Sequence, residues 1–327
     1  MKQFRTEVKV PEFDWKASYQ SRLIFLGSCF TNHIGERMQE LKFQTNVNPF
    51  GIIYNPASVK SSLEKLITNE SFQEEDLNFH NDRWYSFYHH TSFSHHDKKL
   101  CLDRINQKIQ DSSKFLKKAD FLFISLGTAR VYELAERSQV VSNCHKLPSK
   151  LFNYRLLSSE EIADNYEKLI NSLVRFNPGL KIIFTLSPIR HWKDGATGNQ
   201  LSKAILLVAI HRLVNIFPNA EYFPSYELMM DDLRDYRFYA EDMIHISPAA
   251  VDYIWDKFQK VLLDKSAINL VPKIENILKA VKHKPFDPSS ESYKSFQAQV
   301  LKNIEELQKQ YPFLDFSEEK NQLLREV

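Results

Sequence analysis

The order of apolar and polar residues along the chain predicts strands that alternate with helices. Short runs of apolar residues are separated by longer stretches in which apolar residues recur every three or four positions. Five strands are predicted, at RLIFLG (22–27), QTNVN (44–48), DFLFISLG (120–127), KIIFTLSP (181–188) and AEYFPS (220–225). This alternation favours an α/β fold of three layers, with helices on both faces of a five-stranded parallel sheet.

The helices between these strands are indicated by their apolar faces and by their end signals. Apolar residues recur at helical spacing over 30–41, directly after the first strand. Ser158 and Glu161 form a capping box at the start of a later helix, and Ser247 with Pro248 predicts the start of the last core helix. Further helices are predicted over 56–67, 103–117 and 199–217.

Two segments depart from this alternation. Residues 71–102 are aromatic and rich in histidine, and we interpret them as an inserted hairpin or long loop. After Asp264, helical segments rich in Lys and Glu are separated by prolines, with a long helix predicted over 293–311. We therefore predict an α/β domain over residues 1–263 and a C-terminal helical extension over 264–327.

Composition narrows the function classes. The 327 residues carry a formal net charge of only +2, without the basic stripe of a nucleic-acid-binding protein. The longest apolar run, around 204–210, is too short to span a bilayer, and the N-terminal residues show no apolar signal-peptide core. The three cysteines lack CxxC spacing. We expect a cytoplasmic protein with no nucleic-acid or membrane partner, and its oligomeric state is left open.

Polar residues follow several of the predicted strands. In an open parallel sheet, ligands bind beyond the carboxyl ends of the strands. The residues that the prediction brings to this edge are Gly27-Ser28-Cys29, Gly51, Gly127-Thr128, the segment 188–192, and the loop that carries Asp242 and His245. The sequence therefore predicts a functional site at this edge.

A hydroxyl, an imidazole and a carboxylate among these residues can carry out acyl transfer. Ser28 follows a buried strand and begins a helix, where backbone N–H groups and the helix dipole favour a developing oxyanion. His245 is a candidate general base, and Asp242, three residues earlier, can fix its tautomer. On the motifs alone, a helix-terminal serine and a surface carboxylate explain the same residues equally well.

Six motifs, in this order along the chain, resemble the GSCFA family. They are GSCF (27–30), NPFG (48–51), SLGT (125–128), NCHK (143–146), SPIRH (187–191) and EDMIHISPAAVDYIW (241–255). The resemblance covers residues 22 to about 260, and the C-terminal extension resembles the tail of bacterial members. The family is usually placed with the SGNH (GDSL-like) hydrolases, which implies a flavodoxin-like α/β/α fold and a serine esterase.

The resemblance also implies roles for individual residues. Ser28 corresponds to the nucleophile, Gly51 to a backbone oxyanion donor, Asp242 to the orienting acid and His245 to the base. The chain departs from the SGNH pattern where an oxyanion-hole asparagine is expected, because its turn reads Gly127-Thr128-Ala129. The candidates to replace this donor are Thr128, Asn48 and Asn143. Loss of one such donor costs about 3–4 kcal/mol of transition-state stabilisation.

Other residue patterns offer rival chemistry. Cys29 is adjacent to Ser28 and a thiolate is the stronger nucleophile, but position and family both favour Ser28. The adjacent histidine pairs 89–90 and 95–96 point to opposite faces of an extended chain, which argues against a metal site. Cys144 and His145 offer a second dyad, and a substrate-contacting or structural loop is the preferred interpretation.

The sequence therefore supports an esterase that hydrolyses an acyl ester, with acetyl preferred, on a small molecule or a saccharide. His145 and Arg190 are added as candidate substrate-binding residues, and no cofactor or metal is expected. Arg190, His191 and Trp192 are side chains suited to a sugar or acidic acceptor, although a charged surface loop explains them as well. Two alternatives remain, which are an acyltransferase to a sugar hydroxyl and a non-catalytic ligand-binding module.

Overall fold

A parallel sheet of five strands organises the structure, a computed structural model that describes residues 6–325. The strands are β1 (Arg22–Gly27), β2 (Gln44–Val47), β3 (Asn78–His80), β4 (Arg83–Tyr85), β5 (Phe121–Leu126), β6 (Arg130–Leu134), β7 (Gln139–Val141), β8 (Phe152–Leu156), β9 (Lys181–Leu186) and β10 (Ala220–Phe223). The helices are α1 (Cys29–Glu40), α2 (Pro56–Thr68), α3 (Lys98–Leu116), α4 (Ser159–Phe176), α5 (Gly195–Ile216), α6 (Ser225–Glu227), α7 (Pro248–Leu262), α8 (Lys265–Val281), α9 (Glu291–Gln310) and α10 (Ser317–Arg325).

The order of the five strands across the sheet is β10-β9-β5-β1-β2, and every neighbouring pair is parallel. Counted along the chain, this is the flavodoxin-like order 2-1-3-4-5. The predicted fold class, a three-layer α/β/α fold with a five-stranded parallel sheet, is confirmed. In this topology the connections of β1 and β5 leave opposite faces of the sheet, so a crevice opens at their carboxyl ends.

Alternate residues of β1 divide the core into two apolar layers. Leu23 and Phe25 pack in a cluster with residues of α1, α7 and the C-terminal helices, whereas Ile24 and Leu26 pack with residues of α2–α5. Successive side chains of a strand point to opposite faces, so one uninterrupted apolar run fills both layers. This is why the strand reads as continuously hydrophobic.

The segment after Asp264 is helical, as expected. Its helices α8, α9 and α10 bury side chains such as Ile274 and Ile304 in the same cluster that contains Trp255 of α7. The extension therefore covers one face of the α/β core. A domain boundary at residue 263 stays a prediction.

The polar segments differ most from the predicted elements. Residues 71–102 contain the hairpin β3–β4, as expected of an inserted hairpin, but α3 begins at Lys98 rather than near 103. The carboxylate of Asp97 accepts from the Leu100 N–H at 2.8 Å and caps this helix. An antiparallel sheet, β7-β6-β8, was not predicted, because its partly exposed strands show no clear apolar alternation.

Gly27, the last residue of β1, is required by backbone geometry. Its φ is +137°, and a Cβ atom at this position would lie 2.1 Å from the carbonyl oxygen of Ser125 on β5. We expect Gly27→Ala to lower the free energy of unfolding by about 2–4 kcal/mol through strain and overlap. Denaturant unfolding measures this, with Gly179→Ala as control because a Cβ there meets no atom closer than 3.7 Å. Equal effects of the two substitutions would contradict the expectation.

Candidate active site

A cavity of about 260 Å³ opens at the carboxyl end of the sheet, where the sequence places the functional site. The polar residues that line it include Ser28, Cys29, Ser187, Arg190, His191, Lys193 and His245. Residues after β1 and β9 and the loop before α7 therefore meet at one place. A groove of about 300 Å³ between α2 and α4 is slightly larger but is lined by no histidine.

Ser28 lies at the turn from β1 into α1, in the N-cap position of the helix. Its side chain does not cap the helix and is directed to β5, where the hydroxyls of Ser28 and Ser125 are 2.8 Å apart. The Ser28 N–H also donates to the Ser125 carbonyl, at 3.2 Å. The residue is 2% exposed, so both strands hold it at the floor of the cavity.

The first turn of α1 has N–H groups without an acceptor inside the helix. In most helices of this chain an N-cap side chain fills this role, for example Asn55, Ser158 and Ser247. The Ser28 hydroxyl bonds to Ser125 instead, so no side chain caps the N–H groups that follow it. The positive end of the helix dipole adds to them, which makes this turn suited to a negative oxygen.

His245 and Asp242 form a closed hydrogen-bonded unit in the loop before α7. The imidazole Nδ1 and the carboxylate Oδ2 are 2.5 Å apart, and Oδ1 accepts from the N–H groups of Ile244 and His245 at 3.0 and 2.9 Å. The bond from the His245 side chain, followed by these two N–H groups, lowers the pKa of Asp242 to about 2. Because the carboxylate engages Nδ1, the other ring nitrogen is left as the candidate base.

The serine and the histidine line the same cavity but share no hydrogen bond in the part of the chain that the structure describes. The His245 side chain is 50% exposed, whereas the Ser28 hydroxyl faces Ser125 below it. The two side chains thus share a cavity, and each is hydrogen-bonded to a partner of its own.

Gly51 and Asn48 support the turn next to Ser28. The Gly51 N–H donates to the Asn48 carbonyl at 2.7 Å, and the Asn48 Oδ1 accepts from the Gly27 N–H at 2.9 Å. The φ of Gly51 is +77°, and a Cβ there would lie 2.3 Å from Cβ of His90, which explains the glycine. In this structure neither residue lines the cavity.

Thr128, Asn143 and His145 also have structural partners away from the cavity. The Thr128 hydroxyl lies 3.0 Å from that of Ser202, and the Asn143 Oδ1 accepts from the His145 N–H at 2.8 Å. The His145 Nε2 bonds to the Ser86 carbonyl at 3.0 Å, and burial lowers the pKa of this imidazole to about 4. These contacts explain the residues as supports of their turns.

Cys29 lines the cavity beside Ser28, and its Sγ lies 4.0 Å from the hydroxyl of Tyr54. Burial raises the pKa of the Cys29 thiol. A protonated thiol is a poor nucleophile, so the environment disfavours Cys29 as the attacking group.

The His-rich segment contributes His89 to the core. This residue is fully buried, stacks on Phe50 at 4.7 Å and has no hydrogen-bond partner on either ring nitrogen in the described part of the chain. Burial lowers its pKa to about 3, so the ring is neutral. Within residues 6–325, no three His, Cys, Asp or Glu side chains are grouped to hold a metal ion.

The same residues include no helix with the length and apolarity that a bilayer crossing requires.

The sequence analysis did not identify three residues that lie next to the site. Ser125 interrupts an otherwise apolar strand, Tyr54 precedes α2, and Lys203 lies on the buried face of α5. The Lys203 Nζ donates to the Ser187 carbonyl at 2.7 Å, directly behind the cavity wall. For Lys203 the sequence did carry a signal, because this lysine shares a helix face with the apolar residues Leu206 and Ile210.

Fold and cavity together define a doubly wound α/β protein with a serine, a histidine and a carboxylate at the edge of its sheet. The chain belongs to the GSCFA family, whose model matches residues 22–258; a model described as the C-terminal domain of GSCFA domain proteins matches residues 274–327. The resemblance based on the six motifs is confirmed.

The chain also shows distant similarity to solved structures. One is a "putative platelet activating factor" from Streptococcus pneumonia, 13% identical, with 73% of this chain and 82% of that chain covered and a TM-score of 0.37. Another is a carbohydrate esterase family 3 protein from Talaromyces cellulolyticus, 8% identical, with 79% and 99% covered and a TM-score of 0.35. None of the curated proteins compared with the chain matches it significantly.

Proposed function

We propose that this protein is a serine esterase that hydrolyses a short acyl ester through Ser28, His245 and Asp242. One observation supports the proposal above all others. An imidazole whose Nδ1 is already engaged by a carboxylate opens onto the same cavity as a hydroxyl at a helix start. This combination is what activates a serine as a nucleophile at neutral pH.

The proposed reaction has two halves. The Ser28 hydroxyl leaves Ser125, gives its proton to Nε2 of His245 and attacks the ester carbonyl. The C–O bond to the alcohol then breaks, and the alcohol leaves with the proton from His245. Water next attacks the acyl-enzyme, again losing a proton to His245, and releases the acid and the free serine.

We propose that the oxyanion is bound by the N–H groups of Cys29 and Phe30 in the first turn of α1. These groups lack acceptors within the helix and follow directly after the nucleophile. The contacts of Gly51, Asn48, Thr128 and Asn143 favour a supporting role for these residues.

The size and lining of the cavity favour an acetyl or similarly short acyl group. At about 260 Å³ it lies below the usual range of ligand pockets, roughly 300–1,000 Å³, and Ile189 and Ile244 form apolar parts of its wall. Trp192 lines its mouth and is 53% exposed, which suits stacking on a saccharide ring. We include a cytoplasmic setting in the proposal because Cys29, Cys101 and Cys144 are all unpaired.

A series of esters tests this function. We expect the wild-type protein to hydrolyse 4-nitrophenyl acetate faster than the butyrate and octanoate, because a cavity this small favours a short acyl group, and to release acetate from O-acetylated sugars. Release of 4-nitrophenol and of acetate measures the two reactions. Absence of turnover above the Ser28→Ala background on every ester would contradict the proposal.

A non-catalytic binding module is the second candidate, and a specific observation favours it. The Ser28 hydroxyl is bonded to Ser125 and the Gly51 N–H to Asn48, so two groups expected in catalysis are engaged elsewhere. Such a protein binds the ester without consuming it.

An acyltransferase differs from the esterase only in the group that accepts the acyl group, which is a sugar hydroxyl instead of water. Transfer of an acetyl group to an added sugar identifies this activity.

A further inference from the structure

Arg190 is a cation without a carboxylate partner at the edge of the candidate site. It follows β9 and lines both the cavity that contains Ser28 and an adjoining groove of about 310 Å³. Within residues 6–325, no Asp or Glu forms an ion pair with its guanidinium. Partly buried arginines are usually paired, so the missing anion calls for an explanation.

The hydrogen bonds of Arg190 are also incomplete. Nη2 donates to the thioether sulfur of Met230 at 3.3 Å, which is a weak acceptor, and the Tyr226 hydroxyl is a further polar neighbour. The Nε atom is buried and has no acceptor among residues 6–325. A guanidinium carries five N–H donors in a rigid fork, so most of its binding capacity is unused.

Two lysines lie near Arg190. Lys203 is fully buried behind the cavity wall, where burial, and after it the charge of Arg190, lowers its pKa to about 7, so that an anion beside Arg190 would favour its charged form. Lys193 lines the cavity itself and donates to the hydroxyl of Tyr132. Positive groups therefore surround the wall formed by the segment after β9.

The carboxylates close to this wall are occupied by other donors. Each one accepts a hydrogen bond from a neighbouring side chain: Asp242 from His245, Asp194 from Tyr154, Glu227 from Tyr222, and Asp235, which lines the same groove as Arg190, from Arg237. Asp194 is also paired with Arg130 at 3.2 Å. None of them neutralises Arg190, so an anion supplied from outside the chain is the partner that fits.

We propose that Arg190 binds a carboxylate or phosphate group on the alcohol part of the ester substrate. This inference rests on the proposed function and names its substrate class, which is an acyl ester of an anionic alcohol. Because Arg190 and Trp192 line both the cavity and the groove, an anion at the guanidinium and an ester carbonyl at Ser28 belong to one small molecule. The planar fork of Arg matches both anions in bidentate fashion.

Three aryl acetates that differ only in the para substituent test the inference. They are 4-acetoxybenzoate, 4-acetoxyphenyl phosphate and the neutral 4-acetoxybenzamide. We expect the wild-type kcat/KM for at least one of the anions to exceed that for the amide by about tenfold to a hundredfold, the range of charge-assisted hydrogen bonds. The carboxylate and phosphate arms show which anion is preferred.

Substitutions of Arg190 test whether the preference for an anionic substrate comes from its guanidinium. Arg190→Met removes the charge at similar length and is expected to abolish the preference while retaining hydrolysis of the amide; Arg190→Lys is expected to retain part of it. Arg212→Gln is the matched control, since Arg212 pairs with Asp164 at 2.9 Å and with Glu167 at 2.7 Å and lines neither the cavity nor the groove. Thermal unfolding of each variant checks that the fold is intact.

The possible outcomes separate this inference from the proposed function. Equal wild-type rates on all three acetates, or an equal loss on all three in Arg190→Met, would overturn the anion site and leave the esterase intact. If no acetate is hydrolysed, the esterase proposal fails. Binding of 4-hydroxybenzoate and of 4-hydroxybenzamide, measured by NMR titration, then decides the anion site: stronger, Arg190-dependent binding of the carboxylate supports it, and equal binding overturns it.

Discussion

Replacing Ser28 by alanine is expected to lower kcat/KM for ester hydrolysis by on the order of 10⁴- to 10⁶-fold. Losses of this size are typical when the nucleophile of a serine hydrolase is removed. KM is expected to change little, because the hydroxyl is a small part of the cavity wall. Steady-state hydrolysis of 4-nitrophenyl acetate measures both constants. The fold should persist, since the substitution removes one buried hydrogen bond, that to Ser125 at 2.8 Å.

Cys29→Ala is the matched control for this substitution. Cys29 lines the same cavity one residue further along the chain, and its thiol is kept protonated by burial. We expect its activity to stay near that of the wild type. A large loss in Cys29→Ala with little loss in Ser28→Ala would identify the thiol as the nucleophile and contradict the serine mechanism.

Replacing Asp242 by asparagine is expected to lower kcat by on the order of 10²- to 10⁴-fold, because an amide stabilises neither the correct imidazole tautomer nor the imidazolium. The Asp242 carboxylate has a pKa of about 2, held down first by the bond from His245. It is therefore ionised throughout the neutral range, and the loss should persist at every pH above about 4. A pH–rate profile of kcat for both proteins measures this.

Asp287→Asn provides the comparison. Asp287 is an exposed carboxylate that caps its own turn through the Ser289 N–H at 2.9 Å, much as Asp242 does, and it lines neither the cavity nor the groove. Its replacement should leave kcat close to the wild-type value. Similar losses in the two variants would mean that the loss in Asp242→Asn does not come from the orientation of the base.

The sheet and the position of the site were predictable because both depend on long apolar runs. β1, β5 and β9 are buried on both faces, and single polar residues such as Ser125 and Thr185 leave their apolar runs recognisable. Once the sheet is parallel, its topology places Ser28 and the residues after β9 at one edge. Segments separated by more than 200 residues could thus be assigned to one cavity.

The contacts that position the groups of the candidate site could not be predicted from the sequence. Ser125 lies inside a strand where its only visible property is burial, yet it determines where the Ser28 hydroxyl points. The N–H groups at the start of α1 belong to the backbone and are independent of residue type. The pairing of Gly51 with Asn48 depends on a turn whose geometry is set by tertiary contacts.

The antiparallel sheet β7-β6-β8 illustrates a further limit. Most of its side chains are only partly buried, so charged residues such as Glu133 and Arg155 occupy strand positions. These two side chains form an ion pair across the sheet at 2.7 Å, a contact that requires the register to be known first. Periodicity alone cannot reveal a strand of this kind.

Covalent labelling with a fluorophosphonate tests whether His245 activates Ser28, because the reagent reacts with a serine that a neighbouring base activates. We expect one equivalent of adduct by intact mass, located by peptide mapping on Ser28, absent in Ser28→Ala and strongly slowed in His245→Ala. No adduct in the folded wild-type protein, or labelling that is equally fast without the imidazole, would contradict it.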